Sequence, residues 1–185
     1  GLVQRPGNEV VDSALSWLEK NQAEPFFAWV HLYDPHLPYQ PPEPYFSRYN
    51  YSPPVSLYDG EIAFMDEQIG RLSKWLKANG LEEKTIIVLV GDHGEGLGEH
   101  GELAHGYFIY DYAVHVPLII STPDQRFRGK RVSLEVSTVD IFPTVIELAG
   151  LKDRASQGRS LVQMMAGRKE KEIPAYCESM SPSLH

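Results

Sequence analysis

Hydrophobic residues form two kinds of pattern along the chain, one typical of helices and one typical of strands. Helical spacing is clear in residues 8–18 and 57–79, where apolar side chains return every three or four positions with charged residues between them. Asn8 is suited to begin the first helix, and Gly80 lies where a glycine would end the second. Shorter helices are predicted over residues 108–113, 139–149 and 160–166.

Four short apolar runs predict strands, at residues 26–32, 85–90, 116–120 and 173–178. The first two are continuous rather than alternating, as expected of strands buried on both faces of a sheet. Because predicted strands and helices alternate, the sequence indicates an α/β layer architecture. Residues 33–54 form a loop with seven prolines, which prevent regular structure but stiffen the backbone. So long a loop in a compact domain is usually functional.

The composition narrows the class of protein. The chain has 185 residues, of which 42% are hydrophobic and 23% charged, and this is enough apolar mass to offset chain entropy. The net charge of −8 argues against nucleic-acid binding. A single cysteine excludes an internal disulfide and a cysteine-rich zinc site. No apolar run approaches the ~20 residues of a membrane span. Residues 1–7 lack the charged and apolar regions of a signal peptide. The sequence does not identify the cellular compartment, and a periplasmic or secreted location is compatible with it.

The strongest chemical feature is Asp92-His93, which follows the predicted strand at residues 85–90. Ligands bind at the carboxyl ends of strands in open α/β sheets. A carboxylate beside an imidazole suits a divalent cation, and the glycines around the pair would let the backbone turn tightly. The alternative is a glycine-rich surface loop with solvated charges. Two ligands are too few for a stable metal site, so further ligands must come from elsewhere.

Four more residues are candidates for binding or catalysis. His36 lies between two prolines on the stiff loop, so it can be aimed at a substrate with little entropy lost on binding. His31 either faces the site or is a satisfied core histidine. Glu99 and His100 either line the mouth of the site or are solvated loop residues.

His105 ends the glycine-rich segment that Asp92 opens, so a loop of this length can bring it into the same pocket. Cys177 has no activating loop or base beside it in sequence, and a small buried apolar residue is its expected role. The chain has no nucleophile-elbow motif and no Walker A phosphate loop.

Taken in order, these segments resemble the sulfatase branch of the alkaline-phosphatase superfamily. The matching segments are residues 26–39, 58–70, 90–101, 110–120, 140–144 and 157–161. The resemblance covers nearly the whole chain and implies an α/β fold with a mixed, largely parallel sheet flanked by helices. It identifies Asp92 and His93 as metal ligands, with calcium as the typical metal and zinc, manganese or magnesium as alternatives.

The resemblance also implies roles for two histidines. His36 would hydrogen-bond or protonate the ester oxygen. His105 stands where many sulfatases have a lysine that contacts the sulfate, whereas the related phosphoethanolamine transferases have a histidine at a similar offset. His93 stands where many members have asparagine. These departures leave open sulfate or phosphate as the substrate group, and calcium or zinc as the metal.

Two family motifs are missing from the 185 residues. One is Cys/Ser-x-Pro-x-Arg, whose Cys or Ser becomes the formylglycine nucleophile, and the other is an upstream Asp pair for the metal. Cys177 is followed by Glu-Ser-Met, so it is not that nucleophile. We therefore expect residues 1–185 to be the later portion of a single incomplete catalytic domain, inactive without the N-terminal remainder that carries formylglycine.

The sequence leaves three functional hypotheses. The first is a sulfuric ester hydrolase that acts on a small-molecule or glycan sulfate ester. The second is a phosphotransferase or phosphodiesterase of the same superfamily, which an upstream Thr nucleophile would select. The third is a non-catalytic binding or scaffolding domain, which a complete active site in the full-length protein would exclude.

Overall fold

The computed structural model of the protein describes residues 4–124, 126–152 and 155–179. The chain divides near residue 82 into two compact units, Gly1–Glu82 and Glu83–His185. Within the described residues, no helix has both the length and the apolarity that a bilayer span requires. Each unit carries part of the predicted chemistry.

The first unit is built from three helices, α1 (Gly7–Asn21), α2 (Tyr45–Tyr49) and α3 (Val55–Ala78). Both α1 and α2 pack against α3. Among the apolar positions predicted from helical spacing, Val11, Leu18 and Leu76 are buried in the core together with Phe64, whereas Ile62 is exposed. Gly80 has a φ of 66° directly after α3, which confirms it as the glycine that ends this helix. Polar side chains are also buried on α3, and one of them belongs to the candidate site.

The start of α1 differs from the prediction. Asn8 is not the N-cap, because the helix begins one residue earlier and Pro6 precedes it. The Gly7 backbone N–H donates instead to Asp34 Oδ2 at 2.9 Å. A carboxylate accepting from the first turn of a helix is favourable because backbone N–H groups there lack helical partners. The proline-rich loop thus supplies the acceptor at the start of α1.

The strand predicted at residues 26–32 is wrong for the described chain, since this segment has no regular secondary structure. A strand is defined by hydrogen bonds to a neighbouring backbone, and an apolar run reports burial rather than pairing. Phe27 and Trp29 are 78% and 82% exposed. These two large rings are therefore not part of a core.

The second unit contains a two-stranded sheet with flanking helices, which confirms the α/β class. Strand β1 (Ile87–Val90) pairs with β2 (Leu118–Ser121), with Leu89 opposite Ile119 in the register. The pair is antiparallel, whereas the expected sheet is largely parallel. The helices are α4 (Asp111–Val114), α5 (Ile141–Leu148) and α6 (Val162–Met165). Single 3₁₀ turns cover Glu82–Lys84, Glu99–Gly101 and Thr138–Asp140.

A buried polar cluster ties α5 to the segment before α6. The carboxylate of Asp140 accepts the Arg159 N–H at 2.9 Å, and Thr144 Oγ1 accepts the Leu161 N–H at 2.8 Å. Both Asp140 and Thr144 are buried, so each bond satisfies a group that water does not reach. The apolar core here is formed by Leu161 and the methionines of α6, packed against β2.

Two expectations at the end of the described chain are wrong. Residues 173–178 are not a strand, because they have no ladder partner among the described residues. Cys177 is exposed rather than buried. Both errors have one cause, since this segment has no regular structure to carry its apolar side chains into a core.

Candidate active site

Strand β1 delivers Asp92 and His93 at its carboxyl end. The Gly91 N–H donates to the Pro117 carbonyl at 3.2 Å, and the Gly94 N–H donates to the Ala113 carbonyl at 2.8 Å. A Cβ at Gly94 would lie 1.9 Å from the Tyr112 carbonyl oxygen, so only glycine permits this approach. The backbone on both sides of the Asp-His pair is therefore fixed by its neighbours.

Asp92 and His93 present their polar atoms side by side. The His93 Nδ1 lies 2.8 Å from the Gly94 carbonyl, which can only accept, so Nδ1 carries the proton. The other ring nitrogen, Nε2, lies 3.8 Å from Asp92 Oδ2. The Asp92 and His93 side chains are 77% and 44% exposed. Both groups are accessible to an incoming ligand.

His105 packs against this pair. Its ring stacks on His93 with centroids 3.8 Å apart, and its Nδ1 lies 3.0 Å from Glu95 Oε1. The Glu95 side chain is only 5% exposed. A buried carboxylate beside Nδ1 fixes the orientation of the imidazole and favours a proton on that nitrogen. The structure thus brings Asp92, His93 and His105 together within one loop.

The Asp-His pair fits part of a metal site. Two ligands that each bind at about 2.0–2.5 Å lie roughly 3–4 Å apart, which the Asp92–His93 separation matches. A histidine ligand usually donates its second ring N–H to a carbonyl or carboxylate, as His93 does. In the part of the chain that the structure describes, no three Asp, Glu, His or Cys side chains are grouped to hold a metal ion. The pair by itself offers two donor groups, which is fewer than a bound metal ion requires.

Glu99 and His100 are exposed in the 3₁₀ turn of the same loop. The Glu99 carboxylate accepts the Leu97 N–H at 2.8 Å, and backbone hydrogen bonds, chiefly its own, lower the pKa of this carboxyl. His100 has a φ of 55° and stacks on Tyr110 with ring centroids 4.0 Å apart. Both residues shape the loop around the Asp-His pair.

In the first unit, a carboxylate from α3 holds the loop that bears His36. Glu61 Oε2 accepts the His36 N–H at 2.9 Å, and Glu61 Oε1 accepts the Gln40 N–H at 2.6 Å. The His36 ring stacks on Tyr33 with centroids 4.4 Å apart, and its Nδ1 donates to the Leu37 carbonyl at 2.7 Å. With the Nδ1 proton directed at that carbonyl, Nε2 is the ring atom suited to proton exchange with a substrate.

Two carboxyl groups beside His36 have raised pKa values. Burial raises the pKa of Glu61, against the lowering effect of the Gln40 and His36 N–H groups. Burial also raises the pKa of Asp34, while its hydrogen bond from Gly7 lowers it. A polar cavity of about 160 Å³ opens here, lined by Gln4, Arg5, Pro6, Tyr33, Asp34, His36, Pro38, Gln40 and Glu61. Perturbed carboxyl groups around a cleft are typical of functional sites.

Sequence reasoning did not single out Glu61, Glu95 or Asp34. Each lies within a segment that was recognised, but burial and long-range bonding distinguish these carboxylates from ordinary surface ones. Their hydrogen-bond partners are 10 to 27 residues away. His31 is exposed within the segment predicted as the first strand, which does not match a core histidine.

The sulfatase family profile matches residues 6–151, and the chain belongs to this family. It is 29% identical to a sulfatase of Formosa agariphila over 86% of the chain and 39% of that protein. It is 27% identical to human iduronate 2-sulfatase over 97% of the chain and 42% of that protein. The chain thus spans about two fifths of the length of these curated relatives.

The fold agrees with this assignment. The crystal structure of the phosphonate monoester hydrolase of Agrobacterium radiobacter superposes on the chain with a TM-score of 0.79 and 26% identity. The match covers 90% of the chain and 44% of that structure. The expected sulfatase and alkaline-phosphatase-like fold is thereby confirmed, as a part of the fold rather than the whole.

Proposed function

We propose that the full-length protein containing this chain is a metal-dependent sulfuric ester hydrolase. In this proposal residues 1–185 are the later portion of its catalytic domain. The observation that carries the proposal is family membership combined with the grouping of Asp92, His93 and His105 on the glycine-rich loop after β1. The chain spans only about two fifths of the length of each of these curated relatives. This supports a longer catalytic domain in the full-length protein.

Asp92 and His93 are the proposed metal ligands in this chain, with calcium as the expected ion. When bound, a divalent cation supplies positive charge that offsets the charge of a sulfate group. This local charge is needed because the whole chain carries a net charge of −8. The proposed nucleophile is a formylglycine, contributed by a Cys/Ser-x-Pro-x-Arg motif outside this sequence.

His36 is the proposed general acid. It donates a proton to the ester oxygen as the alcohol leaves, a contribution of typically 10²–10⁴-fold. Its Nδ1 bond to the Leu37 carbonyl and its stacking on Tyr33 hold the ring in one orientation. A fixed ring loses less entropy when substrate binds, so the proton is delivered from a preset position.

His105 is the proposed sulfate-contacting residue. Its Nδ1 faces the buried Glu95 carboxylate, so Nε2 is the nitrogen that would contact a sulfate oxygen. Glu95 thus orients the imidazole that stands where many sulfatases have a lysine.

The proposed substrate is a sulfate ester of a small molecule or a glycan. Human iduronate 2-sulfatase, among the relatives, is named for a sulfated sugar acid. His31, Glu99 and His100 are the proposed substrate-binding residues. Glu99 and His100 are exposed on the loop that carries Asp92, and His31 is exposed in the first unit.

The test is a substrate panel with the full-length protein. Hydrolysis of 4-nitrophenyl sulfate is measured beside the matching phosphate monoester, phosphate diester and phosphonate monoester. The proposal expects the highest kcat/KM for the sulfate ester. A higher value for a phosphoryl or phosphonate ester would select the phosphotransferase or phosphodiesterase alternative, and no activity on any ester would favour the scaffolding alternative.

The gene region upstream of residue 1 provides a second test. The proposal expects it to encode Cys/Ser-x-Pro-x-Arg. A Thr nucleophile there would favour the phosphoryl chemistry instead.

A further inference from the structure

Glu61 is a buried carboxylate that the proposed chemistry does not use. It lies on α3, and only 4% of the residue is exposed. Burying a carboxylate is costly unless hydrogen bonds replace its water. The contacts that replace the water therefore indicate what the residue does.

Both Glu61 oxygens bind the backbone of one loop. Oε2 accepts the N–H of His36 and Oε1 accepts the N–H of Gln40, so the two bonds bracket residues 36–40. At 2.9 and 2.6 Å they have the short lengths of charge-assisted hydrogen bonds. The loop is held along its length rather than at a single point.

The neighbouring residue on α3 permits this contact. A Cβ at Gly60 would lie 2.9 Å from Pro41 Cγ and 3.1 Å from Tyr49 Cβ. Glycine at this position allows the proline-rich loop to approach the helix closely enough for Glu61 to reach the backbone. On the other side of the loop, Asp34 binds the N–H of Gly7 at the start of α1. Two helices thus fix the backbone that carries His36.

We infer that Glu61 is a positioning residue, which sets the location of the His36 imidazole by holding the His36 and Gln40 backbone N–H groups. The inference rests on the proposed function, because it concerns the histidine assigned as general acid. The ring itself is oriented by Tyr33 and the Leu37 carbonyl, while Glu61 fixes the backbone from which the ring extends. Residues that support metal ligands typically contribute 10–100-fold to activity or affinity, and we expect an effect of this size for Glu61.

The test uses Glu61→Gln in the full-length protein, with Glu67→Gln as the control. Glutamine keeps the shape but has one acceptor oxygen, so it can satisfy only one of the two N–H groups. Glu67 lies on the same helix but is exposed, and its carboxylate accepts the Tyr45 hydroxyl of α2. The control therefore makes the same chemical change away from the backbone of residues 36–40.

Two readouts are measured together. Amide hydrogen exchange over residues 33–42 should become faster in Glu61→Gln and stay unchanged in Glu67→Gln. The kcat for an aryl sulfate with a poor leaving group should fall about 10–100-fold in Glu61→Gln, with KM changed less. In a His36→Ala background, Glu61→Gln should lower kcat less than twofold, because the group that it positions is already gone.

Three results would overturn the inference. Unchanged exchange in Glu61→Gln would show that the carboxylate does not hold the loop. If Glu61→Gln lowers kcat as much in the His36→Ala background as in the wild type, Glu61 acts by a route other than His36. Full activity of His36→Ala would contradict the proposed role of His36 itself. Faster exchange in Glu61→Gln would then mean that Glu61 holds the loop but that the loop carries no catalytic histidine.

Discussion

The loop that carries His36 and the strand end that carries Asp92 are stabilised in opposite ways. The His36 loop is held by buried carboxylates from outside the loop, chiefly Glu61 on α3. The strand end is held by backbone hydrogen bonds, while its own carboxylate is 77% exposed. In the first region the acid supports the structure, and in the second the acid is open to a ligand.

This contrast separates two uses of the same functional group. A buried carboxylate whose two oxygens both accept backbone N–H groups is committed to holding that backbone, so its main role is positioning. An exposed carboxylate beside a histidine, such as Asp92, is open to an incoming ligand. Glu95 follows the first pattern, since it is buried and faces His105. Each proposed catalytic histidine therefore has a buried carboxylate behind it.

The largest effect is expected at the exposed carboxylate. Asp92→Asn in the full-length protein should lower kcat/KM for 4-nitrophenyl sulfate about 10³-fold or more, because a metal ion contributes several kcal/mol of charge stabilisation and each 1.36 kcal/mol is tenfold in rate. Metal content per protein, measured by elemental analysis, should fall as well. The control Glu135→Gln alters an exposed carboxylate in the same unit and should leave both values unchanged. Equal activity in the two variants would remove Asp92 from the site.

The next effect concerns the proton donor on the loop. His36→Ala should lower kcat by about 10²–10⁴-fold for phenyl sulfate, whose leaving group needs a proton, and by much less for 4-nitrophenyl sulfate. The leaving-group dependence of kcat, measured across a series of aryl sulfates, checks this expectation. A uniform loss across the series would show that His36 acts in binding rather than as the general acid.

Two glycines on α3 test whether the loop depends on close contact with the helix. Gly60→Ala should lower the free energy of unfolding by about 1–3 kcal/mol through overpacking against Pro41 and Tyr49. Gly70→Ala has no atom within 4 Å of the added methyl group and should raise it by about 0.5–1 kcal/mol. Urea unfolding measures both. If both substitutions stabilise the protein, the loop does not need the approach at Gly60.

The smallest expected effect is a pH dependence of stability. Burial raises the pKa of folded Glu61 above its ordinary value of 4.5, with Asp34 raising it further and His36 lowering it. The folded state thus holds this proton more tightly than the unfolded state, and the associated stability is present below pH 4.5 and lost as pH rises through the folded pKa.

Unfolding free energies of the wild type and Glu61→Gln, measured by urea from pH 4 to 7, check this sign. The wild-type value relative to the variant should fall with rising pH. A difference that grows with pH would mean that the hydrogen bonds to Glu61 outweigh its burial.

Local patterns in the sequence predicted part of the fold. Helical spacing located α1 and α3, the apolar runs located β1 and β2, and Gly80 marked the end of α3. The runs at residues 26–32 and 173–178 were not strands in the described chain. Pairing depends on a partner that a single apolar run does not specify, so these errors were of the expected kind.

The candidate site, like the fold, was predicted only in part. Residue types and spacing indicated Asp92, His93 and His105 on one loop, and the structure places the two imidazole rings in contact. The supporting carboxylates were missed because their partners are distant in sequence, 25 residues in the case of Glu61 and His36. Charge in the sequence does not reveal which carboxylates are buried. The roles of the site residues remain predictions.

The most direct test of the central claim is chelation and reconstitution of the full-length protein, with hydrolysis of 4-nitrophenyl sulfate as the readout. The account predicts that removal of divalent cations abolishes hydrolysis. Added calcium should then restore it in the wild type but not in Asp92→Asn. Sulfate ester hydrolysis that survives chelation, or that calcium restores equally in both proteins, would contradict the account.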